Sequence, residues 1–359
     1  MAAKRVTMAE VAKEAGVSIK TVSNAINGVG NVLPKTQKKV DAAVAKLGYR
    51  IDTAARYLKT RKHQNIGLAI GGFDSPFYTQ LLEGVIEEST AKGYTVTIST
   101  YNQLEGGVEE LIREAPYSNA DGWIVYASHP LADEGKVLEG EYPIVQCGNY
   151  TAFGKADLIT LDNRGSFRET TQLLLDRGCT RIAALCAPEG ITRDTYHRKD
   201  AVRGAAVIDR LEGYIDALRD NGVDVDWSLI PDGRRWTMAG GASAVDDLLG
   251  GAGDGGAGGS GDGARPDAIL CYNDSAALGA LYELQLRGVS VPGDVQVIGF
   301  DNIAESQYSS PSLTTVDPMW KDYARMCVTR LIARINGDDS PYATIALHPR
   351  LVERDSTKR

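Results

Sequence analysis

The spacing of apolar residues changes near residue 64, and the chain before that point has the pattern of short helices. Thr7 and Glu10 form a capping box in front of an apolar face, and Gly16 ends that helix where a positive φ is needed. Ser18 caps a second helix over 19–27, and Pro34 begins a third that runs to residue 47. We therefore expect an all-α N-terminal segment.

From residue 66 onward, short apolar runs alternate with longer amphipathic segments. This alternation predicts parallel strands joined by helices that cover both faces of a sheet. The number of strands fits two sheets better than one, so the expected fold is an α/β body of two doubly wound parallel-sheet lobes. The predicted strands are Ile66–Ile70, Tyr94–Ser99, Trp123–Tyr126, Ile144–Gln146, Leu158–Leu161, Ile182–Cys186, Ala268–Cys271 and Val295–Phe300, and the predicted helices include Phe77–Lys92, Arg164–Arg177, Arg210–Asp220, Thr237–Leu249 and Ser275–Leu286.

A glycine-rich stretch over 250–263 separates a predicted helix from a predicted strand. It cannot bury apolar area, so we interpret it as a surface loop. A phosphate-binding loop would need the opposite order, with the strand before it and the helix after it.

Charge divides the chain at nearly the same place as the apolar pattern. Residues 1–63 contain 13 Lys and Arg but 4 Asp and Glu, whereas the remainder has a net charge of −17. A basic N-terminal part on an acidic body indicates that the first part contacts a polyanion. An incidental basic tail is the alternative.

The overall composition is that of a soluble globular protein, with 43% hydrophobic and 24% charged residues. The length of 359 residues predicts two or three domains. No apolar run is long enough to cross a bilayer, and the first ten residues lack the apolar core of a signal peptide. The scattered cysteines show no metal-ligand or disulfide spacing, so we expect reduced thiols, no cofactor and a cytoplasmic location away from the membrane; they are Cys147, Cys179, Cys186, Cys271 and Cys327.

The first two predicted helices have the spacing of a helix-turn-helix. Ala12 allows close helix crossing, Gly16 supplies the turn, and Val22 packs the second helix onto the first. The outer face of the second helix would then enter the major groove, where lysine contacts guanine and asparagine contacts adenine. Hydroxyls and helix-start amides could hold phosphates. The predicted DNA contacts are Thr7, Ser18, Ile19, Lys20, Thr21, Ser23, Asn24 and Asn27.

The sequence resembles the LacI/GalR family of bacterial transcription regulators over nearly its whole length. The resemblance rests on the runs 6–18, 21–23 and 47–50, on 74–78, on 273–280, on 297–301, on 311–316 and on the tail from 351 to 357. It implies two lobes of the periplasmic-binding-protein type. One departure is Asn24, where many members carry arginine, so no base preference is transferred at that position.

The resemblance also implies a hinge and a domain division. A hinge helix over 53–59 would place Leu58 in the minor groove, where paired leucines from two subunits can unstack one base step, and Ala55 beside it is a further predicted DNA contact. From the sequence pattern alone, a core residue is the alternative for Leu58. The expected domains are a helix-turn-helix domain over 1–51, a hinge and linker over 52–63, and an effector-binding and dimerisation domain over 64–359. Within that last domain we expect a first lobe of 64–163 plus 293–325 and a second lobe of 164–292 plus 326–359.

Polar residues follow several predicted strands, at the edge where such sheets bind ligands. By resemblance, seven positions match the effector contacts of sugar-responsive members. Aspartate, asparagine and arginine suit hydroxyl groups, and tryptophan faces suit the apolar side of a sugar ring. For each tryptophan a buried core aromatic is the alternative, and for Asp301 a helix cap or a surface charge is the alternative. The predicted effector contacts are Asp74, Phe77, Arg210, Trp236, Asn273, Asp301 and Trp320, with Arg210 and Trp236 each beginning a helix.

Two further features qualify this prediction. Gly148 stands where family members often have an acidic residue, and Asn149 is the candidate replacement. The charged stretch over 191–209 looks extended relative to the family, and we favour a solvated segment over a lid. The four histidines have no paired nucleophile and no metal-ligand spacing, so we expect neither an enzyme nor a metal site.

We therefore expect a repressor that binds a pseudo-palindromic operator as a homodimer and is controlled by a small carbohydrate between the lobes. A dimer is favoured because the chain ends soon after Leu351–Glu353, without an extra helical repeat. The alternatives are a cytoplasmic sugar-binding or sugar-processing protein, a solute-binding protein, and the same regulator controlled by a purine.

Overall fold

A computed structural model describes residues 6–27, 30–49, 62–73, 75–140, 142–185, 191, 193–198, 206–231, 236–250 and 265–358. The chain divides into two compact units, Met1–His63 and Gln64–Arg359. Most of the predicted hinge, including Ala55 and Leu58, lies outside the described residues, as does the glycine-rich stretch.

The first unit contains three helices in its described part, α1 (Met8–Ala15), α2 (Ile19–Asn27) and α3 (Pro34–Leu47). The predicted capping box is confirmed, because the Thr7 amide donates to Glu10 Oε2 at 2.8 Å while the Glu10 amide donates to Thr7 Oγ1. Gly16 has the expected positive φ of 66°, which ends α1. A small apolar core joins the three helices, and it contains Val11, Ala12, Ala15, Val22, Ala25, Val40 and Ala43.

The second unit contains two sheets, as the alternating pattern predicted. The strands are β1 (Asn65–Ile70), β2 (Thr95–Thr100), β3 (Gly122–Ala127), β4 (Ile144–Gly148), β5 (Asp157–Leu161), β6 (Ile182–Leu185), β7 (Ala268–Cys271), β8 (Gln296–Phe300), β9 (Thr314–Asp317), β10 (Thr344–Leu347) and β11 (Arg350–Val352). The first sheet has the order β10-β5-β4-β3-β1-β2 and the second β11-β9-β8-β7-β6, and β11 pairs antiparallel with β9 at the edge of an otherwise parallel sheet.

Helices cover the sheets and bury their apolar faces against the strands. Their described members are α4 (Pro76–Ala91), α5 (Gly107–Glu114), α6 (Asn163–Asp176), α7 (Arg193–Arg198), α8 (Ala206–Asp220), α9 (Met238–Leu248), α10 (Asp274–Leu286) and α11 (Trp320–Ile335). No helix in the described part of the chain is long and apolar enough to cross a membrane.

The expected division of the second unit into lobes is wrong in its C-terminal part. Both β8 and β9 belong to the second sheet, although residues 293–325 were expected in the first lobe. Helix α11 packs on α4 and on β3–β5, and β10 extends the first sheet beside β5. The chain therefore passes from the second lobe back to the first after β9 and returns to the second at β11.

Two helix starts also differ from the sequence prediction. Helix α8 begins at Ala206, so Arg210 lies in its second turn rather than at its beginning. Helix α9 begins at Met238 with Thr237 as its cap, so Trp236 precedes the helix. In the stretch expected to be solvated, Ile191 is buried and residues 193–198 form the short helix α7.

Candidate functional site: an interlobe cleft and a helix-turn-helix surface

A cavity of about 60 Å³ lies between the two lobes of the second unit. The carboxyl ends of β3, β4 and β5 reach it from the first lobe, and those of β7 and β8 reach it from the second. Six of the seven predicted effector contacts line it, while Asp74 lies outside the described residues. The lining residues are Ser75, Phe77, Tyr126, Gly148, Asn149, Leu161, Arg210, Trp236, Tyr272, Asn273, Asp301, Trp320 and Tyr323.

Arg210 is buried beneath this cavity, with 4% of its surface exposed. Its Nε donates to Asn163 Oδ1 at 2.8 Å, and its Nη1 donates to the Tyr272 carbonyl oxygen. The guanidinium carbon lies 3.6 Å from the Phe300 ring centroid and 4.2 Å from that of Tyr272. Two aromatic faces and two hydrogen bonds therefore fix the plane of the cation.

Asp301 is the acidic group of the cleft, and 8% of its surface is exposed. It follows β8 with a φ of 112°, a strained conformation that non-glycine residues rarely adopt. Among the described residues no side chain or amide donates a hydrogen bond to its carboxylate. Burial raises the pKa of Asp301 well above its ordinary value, and the nearby Arg210 cation opposes that rise.

Aromatic rings form the two walls of the cleft. Trp236, 45% exposed, stacks on Tyr272 with 4.0 Å between the ring centroids. On the first-lobe side, Phe77 stacks on Trp320 with 5.5 Å between the centroids, and the Trp320 Nε1 donates to the Asp301 carbonyl oxygen at 3.2 Å. Each wall presents a flat apolar face beside the buried charges.

Asn273 supports the second-lobe wall. Its Oδ1 accepts from the Ala276 amide at 2.8 Å and so caps α10, and its Nδ2 donates to the Trp236 carbonyl oxygen at 3.0 Å. Asn273 therefore caps a helix, and its side chain also lines the cavity.

The first-lobe rim of the cleft contains Gly148, the residue that stands where family members often have an acidic side chain. Gly148 ends β4 with a φ of 108°, and its amide donates to the Tyr323 hydroxyl at 2.7 Å. Tyr323 in turn donates to the Ile159 carbonyl oxygen at 2.8 Å. Asn149 lines the cavity as expected, and its Oδ1 accepts from Asn163 Nδ2 at 2.8 Å.

Sequence reasoning missed three tyrosines that line the cleft. Tyr126 lies near the end of β3, Tyr272 follows β7, and Tyr323 belongs to the first turn of α11. Tyr126 and Tyr272 carry a usable signal, because each stands at the carboxyl end of a predicted strand. Tyr323 carries none, since α11 was not among the predicted helices.

The first unit presents the predicted recognition helix α2. As predicted, Ile19 is 54% exposed, Lys20 is exposed and Val22 is fully buried. Asn24, which was expected on the outer face, is half-buried. The Ser18 hydroxyl accepts from the Thr21 amide at 3.0 Å, which caps the helix. Ser23 is half-buried, and the side chain of Asn27 lies outside the described residues.

The described residues hold no group of three or more histidine, cysteine, aspartate or glutamate side chains that could bind a metal ion. The cleft offers hydrogen-bonding groups and aromatic faces, and the first unit offers a helix-turn-helix surface. This combination fits recognition of two different partners.

Comparison with known proteins finds a matching family for each of the two units. Residues 7–52 match bacterial regulatory proteins of the lacI family, and residues 171–357 match a periplasmic binding protein-like domain. The HTH-type transcriptional repressor PurR of Vibrio atlanticus (strain LGP32) is 28% identical over 354 residues, which cover 98% of each chain.

Two solved structures resemble the chain closely. A LacI-type transcription regulator from Bifidobacterium animalis subsp. lactis is 38% identical, with a TM-score of 0.72 over 82% of this chain and 100% of that one. The transcriptional regulator CelR in complex with cellobiose is 27% identical, with a TM-score of 0.67 over 98% of this chain and 100% of that one. The chain therefore belongs to the lacI family of bacterial transcription regulators.

Proposed function

We propose that the protein is a transcriptional repressor that binds a pseudo-palindromic operator as a homodimer and releases it, or binds it more tightly, when a small carbohydrate enters the interlobe cleft. Residues 1–51 would bind DNA, 52–63 would form the hinge, and 64–359 would bind the effector and form the dimer. The protein would act in the cytoplasm. The resemblance to a repressor over the full chain supports the DNA-binding part of this proposal.

The observation that carries the choice of a carbohydrate is the pairing of the Asp301 carboxylate with flat aromatic walls. A buried carboxylate without a donor among the described residues needs a hydrogen-bonding partner. Neighbouring hydroxyl groups supply two donors to one carboxylate, while the C–H face of a sugar ring packs on an indole. The cellobiose in the complex of the relative CelR supports the same class of ligand.

The size of the cavity links ligand binding to movement of the lobes. A cavity of about 60 Å³ is well below the roughly 150 Å³ that accommodates a benzene molecule, and a pyranose ring is larger than benzene. Binding therefore requires the Trp236 wall and the Phe77–Trp320 wall to separate. A ligand that favours one lobe spacing over another shifts the equilibrium by its differential affinity, typically about 1–3 kcal/mol.

A purine is the second candidate, because the stacked aromatic pairs also suit a flat heterocycle. The two classes differ at Asp301. A purine offers ring nitrogens and at most a few donors, whereas a sugar offers adjacent hydroxyls.

The test is a titration of the purified full-length protein on DNA from around its own gene. Affinity would be measured by fluorescence anisotropy at several salt concentrations, then again with cellobiose, D-ribose and hypoxanthine. Phosphate contacts make specific binding fall steeply with salt. A response to a sugar supports the proposal, and a response to hypoxanthine alone replaces the carbohydrate by a purine.

Two variants separate ligand binding from general effects of charge. Asp301→Asn should weaken binding of the responding sugar at least tenfold, because the amide replaces one of the two oxygens that can accept from neighbouring hydroxyl groups by a donor. Asp224→Asn removes an exposed carboxylate elsewhere and should leave the affinity unchanged. Equal effects of both substitutions, or chemical turnover of the sugar, would contradict the proposed function.

A further inference from the structure

One buried asparagine joins the two lobes directly beneath the cleft without lining it. Asn163 is the first residue of α6, at the point where the chain passes from β5 of the first lobe into the second. Its surface is 1% exposed. Neither the sequence pattern nor the resemblance pointed to this residue.

The Asn163 amide contacts both lobes at once. Its Nδ2 donates to Asn149 Oδ1 at 2.8 Å, on the rim of the first lobe, and to the Leu161 carbonyl oxygen at 3.3 Å. Its Oδ1 accepts from Arg210 Nε at 2.8 Å, in α8 of the second lobe. The relay Asn149–Asn163–Arg210 therefore crosses from one lobe to the other.

The chemistry of the partners fixes which way the amide points. Arg210 can only donate, so it needs the oxygen, and the Leu161 carbonyl can only accept, so it needs the nitrogen. A turn of the amide by 180° would place donor against donor and acceptor against acceptor. The backbone of this segment is fixed too, because Asp162 caps α6 through the Gly165 amide at 2.8 Å.

The relay determines where the Arg210 cation sits. The Asn163 contact holds Nε, the Tyr272 carbonyl holds Nη1, and Phe300 covers one face of the guanidinium. Without Asn163, a buried N–H would lose its partner, and the cation would be free to shift along the Phe300 ring. Asn149 would lose its link to the second lobe at the same time.

We propose that Asn163 is a positioning residue that ties the Asn149 rim of the first lobe to Arg210 of the second, so that the affinity for the effector depends on the spacing of the lobes. The part of this inference that concerns effector affinity rests on the proposed function. The part that concerns the protein without ligand does not. Asn163 acts through the two lining residues that it holds.

The first experiment uses the full-length protein without any ligand. Hydrogen–deuterium exchange would be compared for wild type, for Asn163→Leu and for Thr171→Val. Asn163→Leu removes all three side-chain hydrogen bonds while keeping the same number and branching of side-chain heavy atoms. Thr171 is a matched control because it is also fully buried in α6, and its hydroxyl donates only to the Phe167 carbonyl at 2.6 Å.

In Asn163→Leu, we expect peptides containing Gly148–Asn149 and peptides containing Tyr272–Asn273 to exchange at least roughly fivefold faster, since the tie between the rims is gone. In Thr171→Val, both regions should exchange as in wild type. If exchange in Asn163→Leu became faster only in α6 and in β5, the strand that precedes it, the role of Asn163 would be local packing, and the inference would be overturned.

The second experiment measures cellobiose binding by calorimetry for the same variants. Loss of a hydrogen bond to a charged group predicts a cellobiose dissociation constant about tenfold larger than that of wild type, or more, for Asn163→Leu. Asn163→Asp keeps an acceptor facing Arg210 but loses the two donations to Asn149 and to the Leu161 carbonyl. The peptides that contain Gly148–Asn149 should therefore exchange faster than in wild type while those that contain Tyr272–Asn273 change less than in Asn163→Leu, and this variant also tests the inference if Asn163→Leu does not fold.

The two experiments distinguish failure of the inference from failure of the proposed function. If wild type binds no cellobiose but both rims exchange faster in Asn163→Leu, the tie between the lobes is supported and cellobiose is rejected as the effector. If wild type binds cellobiose and Asn163→Leu binds it equally well, the positioning role is refuted while the sensor remains.

Discussion

Gly213 is the position where one added methyl group should disturb both the fold and the cleft. It lies in α8, three residues after Arg210, and faces α6. A Cβ at this position would lie 2.1 Å from the Arg164 carbonyl oxygen and 3.0 Å from the Arg168 amide nitrogen. Both are backbone atoms, which cannot rotate away as a side chain could. The perturbation is therefore Gly213→Ala.

The magnitude follows from two opposing effects. Carbon and oxygen approach to about 3.3 Å, so the two helices must separate by roughly 1 Å. Overpacking of this kind costs about 1–3 kcal/mol and occasionally more, whereas alanine in a helix interior gains about 1 kcal/mol over glycine. With so short a contact the cost lies at the upper end of its range. We expect the free energy of unfolding to fall by about 2 kcal/mol.

The same displacement reaches the cleft. Arg210 belongs to α8, and the Asn163 that holds its Nε belongs to α6. A separation of roughly 1 Å would stretch a 2.8 Å hydrogen bond beyond useful length. The affinity for the effector should therefore fall about tenfold, together with the stability.

Urea denaturation followed by circular dichroism measures the stability, and the titration of the responding sugar measures the affinity. Gly140→Ala is the control, because its Cβ would have no neighbour nearer than the Tyr142 amide at 3.8 Å. A Gly213→Ala protein that is as stable as wild type or more stable would mean that helix propensity outweighs the contact. That result would refute the geometric reasoning.

Three further predictions concern the DNA-binding unit and a buried acid. Thr7→Ala removes the cap of α1 and should cost about 1 kcal/mol of local stability, visible as faster hydrogen exchange of the α1 amides. Asn24→Ala should weaken discrimination at one base pair of each operator half-site by about 1–3 kcal/mol, measured by competition between operator variants. Burial raises the pKa of Asp274 to about 6 from 3.8, so its stabilising contribution is full below pH 3.8 and is lost as the pH rises through 6. Between pH 4 and pH 7, the free energy of unfolding of wild type should therefore fall by up to about 3 kcal/mol relative to that of Asp274→Asn. Melting temperatures of the two proteins that depend on pH in the same way would contradict a raised pKa at Asp274.

The sequence predicted the elements well where a local signal exists. The capping box at Thr7 and the turn at Gly16 depend on neighbouring residues, and both are present. The parallel strands have continuous apolar runs, which mark buried strands, and their bounds agree within about two residues. Local chemistry is sufficient for such features.

The path of the chain between the lobes could not be predicted from such patterns. Strand β8 has the same apolar character whichever sheet it joins, and its place beside β7 is set by contacts across the second lobe. Helix α11 was missed because its apolar positions include small and aromatic residues, Trp320 and Ala324 among them, that pack on α4 across the first lobe. The sheet to which a strand belongs is set by long-range contacts, and the periodicity of apolar residues along the sequence does not report on them.

The candidate site shows the same division between local and long-range information. Strand ends identified Asn273 and Asp301, because parallel strands deliver their carboxyl ends to one edge. Asn163 also follows a strand, but its importance arises only because Asn149 and Arg210 approach it from opposite lobes. The role of a residue that joins two lobes depends on its contacts with both of them. Residues of this kind are therefore the ones that a single sequence leaves hidden, and here Asn163 holds the Asn149 rim of one lobe to the buried Arg210 cation of the other.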